Sequence, residues 1–215
     1  MFSVITAFCK ASVSTLAVDG AALTIVGTTG GRLFVYSTDP LSLDLDELEF
    51  SFGEGPCVDA VAARAPVFAD ALATAAAQER WPGFASAATA LGAGAQYAFP
   101  LVNSGVSFAV LATYRREPGP LRPAQIKATE ALIASFETPV FRELVGHLSG
   151  VGAVPPGVRD RAEVHQATGM VSVQLGLAVE DALARLRAHA FANDITLVRL
   201  AHDVVDRKRR FRRDE

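Results

Sequence analysis

The sequence predicts an α+β chain in two parts, a larger mixed domain followed by a small all-α unit of three helices. Three observations carry this. Two pairs of β-branched and aromatic runs are joined across glycine turns, one near residue 30 and one near 104. A glycine- and proline-rich break follows at 149–157, and three short amphipathic patterns come after it, running into a strongly basic end. A chain of 215 residues is long for one domain and ample for two.

Phe2 to Leu16 has helical periodicity, with Phe2, Ile5, Phe8 or Cys9, Val13 and Leu16 as candidate buried positions. Ala21 to Thr28, the Gly30-Gly31 pair and Leu33 to Tyr36 read as a β-hairpin. Asp39-Pro40 breaks the chain. Leu41 to Phe50 mixes leucines with Asp44, Asp46, Glu47 and Glu49 and is expected to be a short solvated helix. In Gly53-Glu-Gly-Pro-Cys-Val-Asp-Ala60 the glycines bend the backbone, and Pro56 suits the first turn of a helix over about 57–63. A short strand is expected at Val67-Phe68, and a helix from Trp81-Pro82-Gly83-Phe84 to near Gly92. Tyr97 to Val102, an Asn103-Ser104-Gly105 turn and Val106 to Tyr114 form the second hairpin, and Pro123 opens a long helix ending near Leu148.

Ser149 to Gly157 holds three glycines and two prolines, a composition that opposes a regular helix. It sets the predicted organisation: 1–148 as one domain, 149–157 as linker, 158–215 as the helical unit.

In that unit Val164, Ala167, Val171 and Leu175 line the first helix, and Gly176 suits its stop. Ala182, Leu183, Leu186 and Ala190 line the second, with Arg185 and His189 expected towards solvent. Leu197, Leu200, Ala201, Val204 and Val205 line the third, opposite Arg199, His202, Asp206 and Arg210. Asp194 or Thr196 can cap this third helix through a side-chain oxygen.

Here the residues carry a resemblance. Val164-His-Gln-Ala-Thr-Gly-Met170, then Gly176, then Glu180-Asp-Ala-Leu-Ala-Arg-Leu-Arg-Ala-His-Ala190, then Leu197 with Leu200-Ala201, resembles the ANTAR family of RNA-binding transcription antitermination regulators. It extends over nearly all of 159–210. Ala178 departs from it, standing where family members often carry a Ser or Thr cap. The resemblance implies binding to paired hairpins in nascent RNA, so that a terminator does not form. In the first domain Glu54-Gly55-Pro56-Cys57, Trp81-Pro82 and Pro100-Leu101, followed by a glycine turn and an apolar strand, resemble a GAF domain over about 1–148. That implies a central antiparallel sheet with helices on both faces. It also implies a sensor of an unidentified signal, such as a small-molecule ligand, and homodimerisation through flanking helices. GAF–ANTAR pairings are common in actinobacterial proteins.

Charge alone does not announce nucleic acid. The net value is −3, but from 159 onward there are 11 basic against 9 acidic residues, and before it 9 against 14. Arg207-Lys-Arg-Arg-Phe-Arg-Arg213 has six basic residues of seven and is expected to extend the third helix towards phosphates. Lys208, Arg209 and Arg210 are therefore candidates for RNA contact. Arg185, Arg187, His189, Arg199 and His202, spaced along helix faces, are candidates for specific contacts, since Arg and His can stack on and hydrogen-bond to splayed loop bases. Local ion pairs, Asp181 with Arg185 or Asp203 with Arg207, compete with that role.

Catalysis finds little support. Cys57 has no histidine before His147 to activate it, and a buried structural thiol is the expectation. His147, His165, His189 and His202 lack metal-ligand spacing, and no glycine-rich phosphate loop follows a strand. No cofactor is expected. Cys9 and Cys57 form no disulfide framework, no run approaches the ~18 apolar residues of a membrane helix, and no signal peptide is read, so the cytoplasm is expected. Three rivals stay open: a DNA-binding regulator using the third helix, a thiol-dependent oxidoreductase of GAF fold, and a first domain that only dimerises, its pocket filled by Tyr97, Phe99 and Phe108.

Overall fold

The computed structural model describes residues 2–27, 31–103, 105–148, 156–193 and 195–212. The turn residues Gly30 and Ser104, the linker stretch 149–155, Asp194 and Arg213 lie outside the described residues. The chain divides into two compact units, Met1–Gly152 and Ala153–Glu215.

Among the described residues of the first unit, five strands form one antiparallel sheet in the order β2-β1-β5-β4-β3. They are β1 (Gly20–Val26), β2 (Arg32–Ser37), β3 (Val67–Ala69), β4 (Ala95–Asn103) and β5 (Val106–Arg115). Both predicted hairpins pair as expected, with Leu23 opposite Tyr36 in one and Phe99 opposite Leu111 in the other. Successive side chains alternate between the two faces. Ala95, Tyr97, Phe99 and Leu101 of β4 enter one core with Ala21, Leu23, Ala109 and Leu111. Their neighbours Ala98, Ala22, Val110 and Ala112 enter another on the opposite face.

The first core is covered by α1 (Ser3–Leu16) and the long α6 (Pro123–Leu148), whose predicted bounds are observed. Ile5, Phe8, Cys9 and Leu16 of α1 are buried there with Val140 and Leu144 of α6. Phe2 supplies no side-chain cap to α1. The Glu143 carboxylate from α6 does so instead, accepting from the N–H groups of Ser3 (2.8 Å), Val4 (3.2 Å) and Ile5 (2.8 Å). Burial pushes that carboxyl up, but these hydrogen bonds outweigh it and hold Glu143 below its ordinary value.

The opposite face carries α2 (Pro40–Phe52), α3 (Pro56–Ala63), α4 (Ala75–Arg80) and α5 (Pro82–Ala90). Asp39 caps α2, accepting from Ser42 N–H at 3.0 Å. The expectation of a solvated α2 is overturned: Leu41, Leu45, Asp46, Glu49 and Phe50 are all buried. Its carboxylates go inside because Arg32 of β2 meets them, at 3.4 Å from Asp46 and 3.1 Å from Glu49, while Thr24 donates to Asp46 at 2.6 Å. Glu49 also accepts from the Cys57 N–H (2.7 Å) and Gln96 (3.2 Å). Burial still raises the Glu49 carboxyl above its ordinary value. Helix α4, not expected from the sequence, is capped by Thr74.

The second unit has, among the described residues, α7 (Pro156–Leu175), α8 (Val179–Ala192) and α9 (Leu197–Val205). Pro156 and Gly157, assigned to the linker on composition, instead open α7, where the missing N–H of a first-turn proline is no loss. Val164, Ala167, Val171 and Leu175 meet Ala182, Leu186 and Ala190 and the stripe Leu197, Leu200, Ala201 and Val204. Each large aliphatic side chain so buried stabilises the unit by about 2 kcal/mol. Gly176 ends α7 at φ 68°, a backbone that favours glycine. Thr196 caps α9 through Arg199 N–H at 3.2 Å, whereas Ala178 gives α8 no side-chain cap.

Candidate nucleic-acid interface

The eight predicted contact residues separate into open and engaged groups. Arg185 in the middle of α8, Arg199 in the first turn of α9 and Arg210 are exposed and form no ion pair with described residues. Arg187 is half-buried. His202 is exposed, but its Nδ1 stands 2.7 Å from a Glu163 carboxylate oxygen of α7, tying α9 to α7.

The basic run does not extend α9. The helix ends at Val205, and Arg207 adopts a left-handed φ of 60°, which turns the chain back. Arg209 N–H then donates to Asp203 C=O at 2.8 Å, and Phe211 N–H to the Gln174 side chain of α7 at 2.9 Å. The Phe211 ring is 3% exposed. His189, expected in open solvent beside Arg185, is half-buried with its ring edge-on to Phe211, and the Arg209 guanidinium carbon lies 5.9 Å from the Phe211 ring. Lys208 pairs with Asp206 at 2.9 Å, which raises its ammonium above the ordinary value. The tail is thus a folded return whose anchor is its single apolar residue. Phe211, Gln174 and Glu163 were not singled out from sequence; only the aromatic interrupting a basic run hinted at it. Arg161 of the same unit is buried within α7.

In the first unit the two thiols lie on opposite faces of the sheet. Burial pushes Cys9 up to about 12, and burial together with the nearby Glu49 carboxylate raises Cys57 well above its ordinary value. In both places burial favours the thiol over the thiolate, the form that attacks or binds metal. Tyr97 and Phe99 are fully buried on the side of α1 and α6, and Phe108 packs at the same core with its ring edge-on to Phe141. An open cleft of about 480 Å³ lies where α2 begins, lined by Asp19, Asp39, Asp44, Leu91, Tyr114 and Arg116 among others. Two of its carboxylates already serve the fold: Asp39 holds Ser42 and Tyr114, and Asp19 accepts from Arg116 N–H. Among the described residues no group of three or more His, Cys, Asp or Glu is arranged to hold a metal ion, and no helix is long and apolar enough to cross a membrane.

Comparison with known proteins agrees with this division. The GAF domain family model matches residues 3–136, and the ANTAR domain model matches 157–205. Among solved structures, a domain described as part of a two-component sensor histidine kinase from Sinorhizobium meliloti is similar, with a TM-score of 0.53 and 19% identity, over 69% of this chain and 96% of that one. A GAF domain of a Synechocystis protein, in its photoproduct state, is similar at a TM-score of 0.52 and 12% identity, over 68% of this chain and 98% of that one. At such identities the likeness speaks for fold alone. No curated protein matches the chain. A five-stranded antiparallel sheet with helices on both faces, followed by the three-helix unit and matched by both family models in that order, places this chain in the GAF family and makes it a GAF and ANTAR domain-containing protein.

Proposed function

We propose that the chain is a cytoplasmic homodimeric regulator whose helical unit binds hairpins in nascent RNA and favours transcription read-through, under the control of a signal received by the GAF domain. One observation carries this reading: a segment that matches the ANTAR family holds Arg185, Arg199 and Arg210 in solvent on a packed three-helix scaffold. ANTAR domains are RNA-binding antitermination regulators, and GAF domains are sensors. The protein does no covalent chemistry in this account. It stabilises one RNA fold over a competing terminator, with phosphate contacts giving affinity and helix side chains selecting the loop.

Single-round transcription in vitro tests it, on templates carrying leader terminators preceded by tandem hairpins. Added protein raises the read-through fraction, and Arg185→Ala with Arg199→Ala abolishes the effect. Termination that does not respond to the protein on any hairpin-bearing leader would falsify the proposal.

A further inference from the structure

Helix α8 buries a narrow stripe, Ala182, Leu186 and Ala190, against its neighbours. Five positions past Leu186, about 140° round the helix from the middle of that stripe, Phe191 is 76% exposed. Ala188 and Ala184, at i−3 and i−7, offer only methyl groups, so they leave a shallow ledge beside the ring. Arg187, at i−4, brings positive charge to the same face. Past the helix end Asn193, Thr196 and Arg199 are exposed as well, Arg199 in the first turn of α9. From Ala182 to Arg199 the sequence holds three Arg and one His against a single acidic residue, Asp194.

A lone ring on an alanine ledge is too small for a protein interface, which needs a contiguous patch. It matches the area of one flat heterocycle. Aromatic side chains are where unpaired bases stack, and guanidinium groups nearby suit the phosphates on either side of such a base.

We infer that Phe191 is a stacking platform for one unpaired base of the RNA loop, with the positive charge of Arg187 and Arg199 favouring the flanking phosphates. The inference rests on the RNA-binding reading and adds to it the residue that receives the loop. Stacking is indifferent to ionic strength, whereas phosphate contacts are not. The Phe191 contribution therefore separates from that of the arginines.

The test uses the full-length protein and a stem-loop RNA selected on it from a random-loop pool, with affinity read by fluorescence anisotropy across a salt series. Phe191→Ala lowers affinity about tenfold with an unchanged salt slope and an unchanged thermal unfolding curve. Phe191→Trp keeps wild-type affinity, and its indole emission is quenched on RNA addition. Wild-type affinity in Phe191→Ala overturns the inference and leaves the RNA reading standing. So does a change in oligomer mass, by light scattering, without loss of RNA binding, since the ring then belongs to a protein contact. If the wild-type protein selects no stem-loop, the RNA reading and this inference fall together.

Discussion

Phe211 meets His189 edge-on, with ring centroids 5.1 Å apart and an interplanar angle of 71°. The contact closes the return of the chain over α7 and α8 and gives the basic end a fixed place. Aromatic pairs in this arrangement contribute about 1 kcal/mol beyond the area they bury. Phe211→Ala should therefore destabilise the helical unit by about 3 kcal/mol. Hydrogen exchange across α7 and α8 checks this: protection should fall there while the sheet of the first unit keeps its own.

Charge and anchoring in the tail can be separated. Replacing Lys208, Arg210 and Arg212 with Gln leaves Phe211 and Gln174 in place. It also removes the exposed Lys208–Asp206 pair, which is worth little to stability. The salt dependence of RNA affinity should become shallower by roughly 0.7 for each phosphate that the tail no longer neutralises, with no change in melting temperature. A salt slope equal to that of the wild type means the tail does not touch phosphate.

The cap that Glu143 places on α1 should make stability depend on pH. Its carboxyl is lowered in the folded chain relative to its ordinary value of 4.5. The stabilisation is then fully present above about that value and lost as pH falls through the lower folded value. Glu143→Gln should cost about 1 kcal/mol near neutrality, and denaturant titrations of variant and wild type should converge in acid. A constant difference at every pH would contradict the cap.

The buried Arg32 is the partner on which two carboxylates depend. Arg32→Met leaves Asp46 and Glu49 facing each other without a cation, and should cost about 3–5 kcal/mol at neutral pH. Because burial already raises Glu49, that carboxyl should rise further in the variant. The deficit should then shrink as pH falls through its folded value, where the protonated form carries no charge. Chemical unfolding at two pH values measures both effects.

Most of the architecture was legible because it is written in local pattern. The β-branched runs around glycine turns mark β1–β2 and β4–β5, and Pro123 marks the first turn of α6. The spacing of Leu197, Leu200, Ala201 and Val204 gives the buried stripe of α9. What escaped depends on contacts remote in sequence. Asp46 and Glu49 look solvated until Arg32, on a different element, is brought across them. Lys208 to Arg210 look like a helical extension until Phe211 finds Gln174, 37 residues away. Charge periodicity separates wet from dry faces, so it located Arg185 and Arg199, but it does not distinguish an open histidine from one leaning on a returning tail.

In the proposed role the exposed arginines of the helical unit grip folded RNA. The most direct measurement is competitive binding of the full-length protein to a selected stem-loop RNA and to duplex DNA carrying the sequence of its stem. The wild type should prefer the stem-loop, and Arg185→Ala with Arg199→Ala should weaken it roughly tenfold or more while the far-UV circular dichroism stays unchanged. A protein that ignores stem-loops, or that prefers the duplex, would contradict the account.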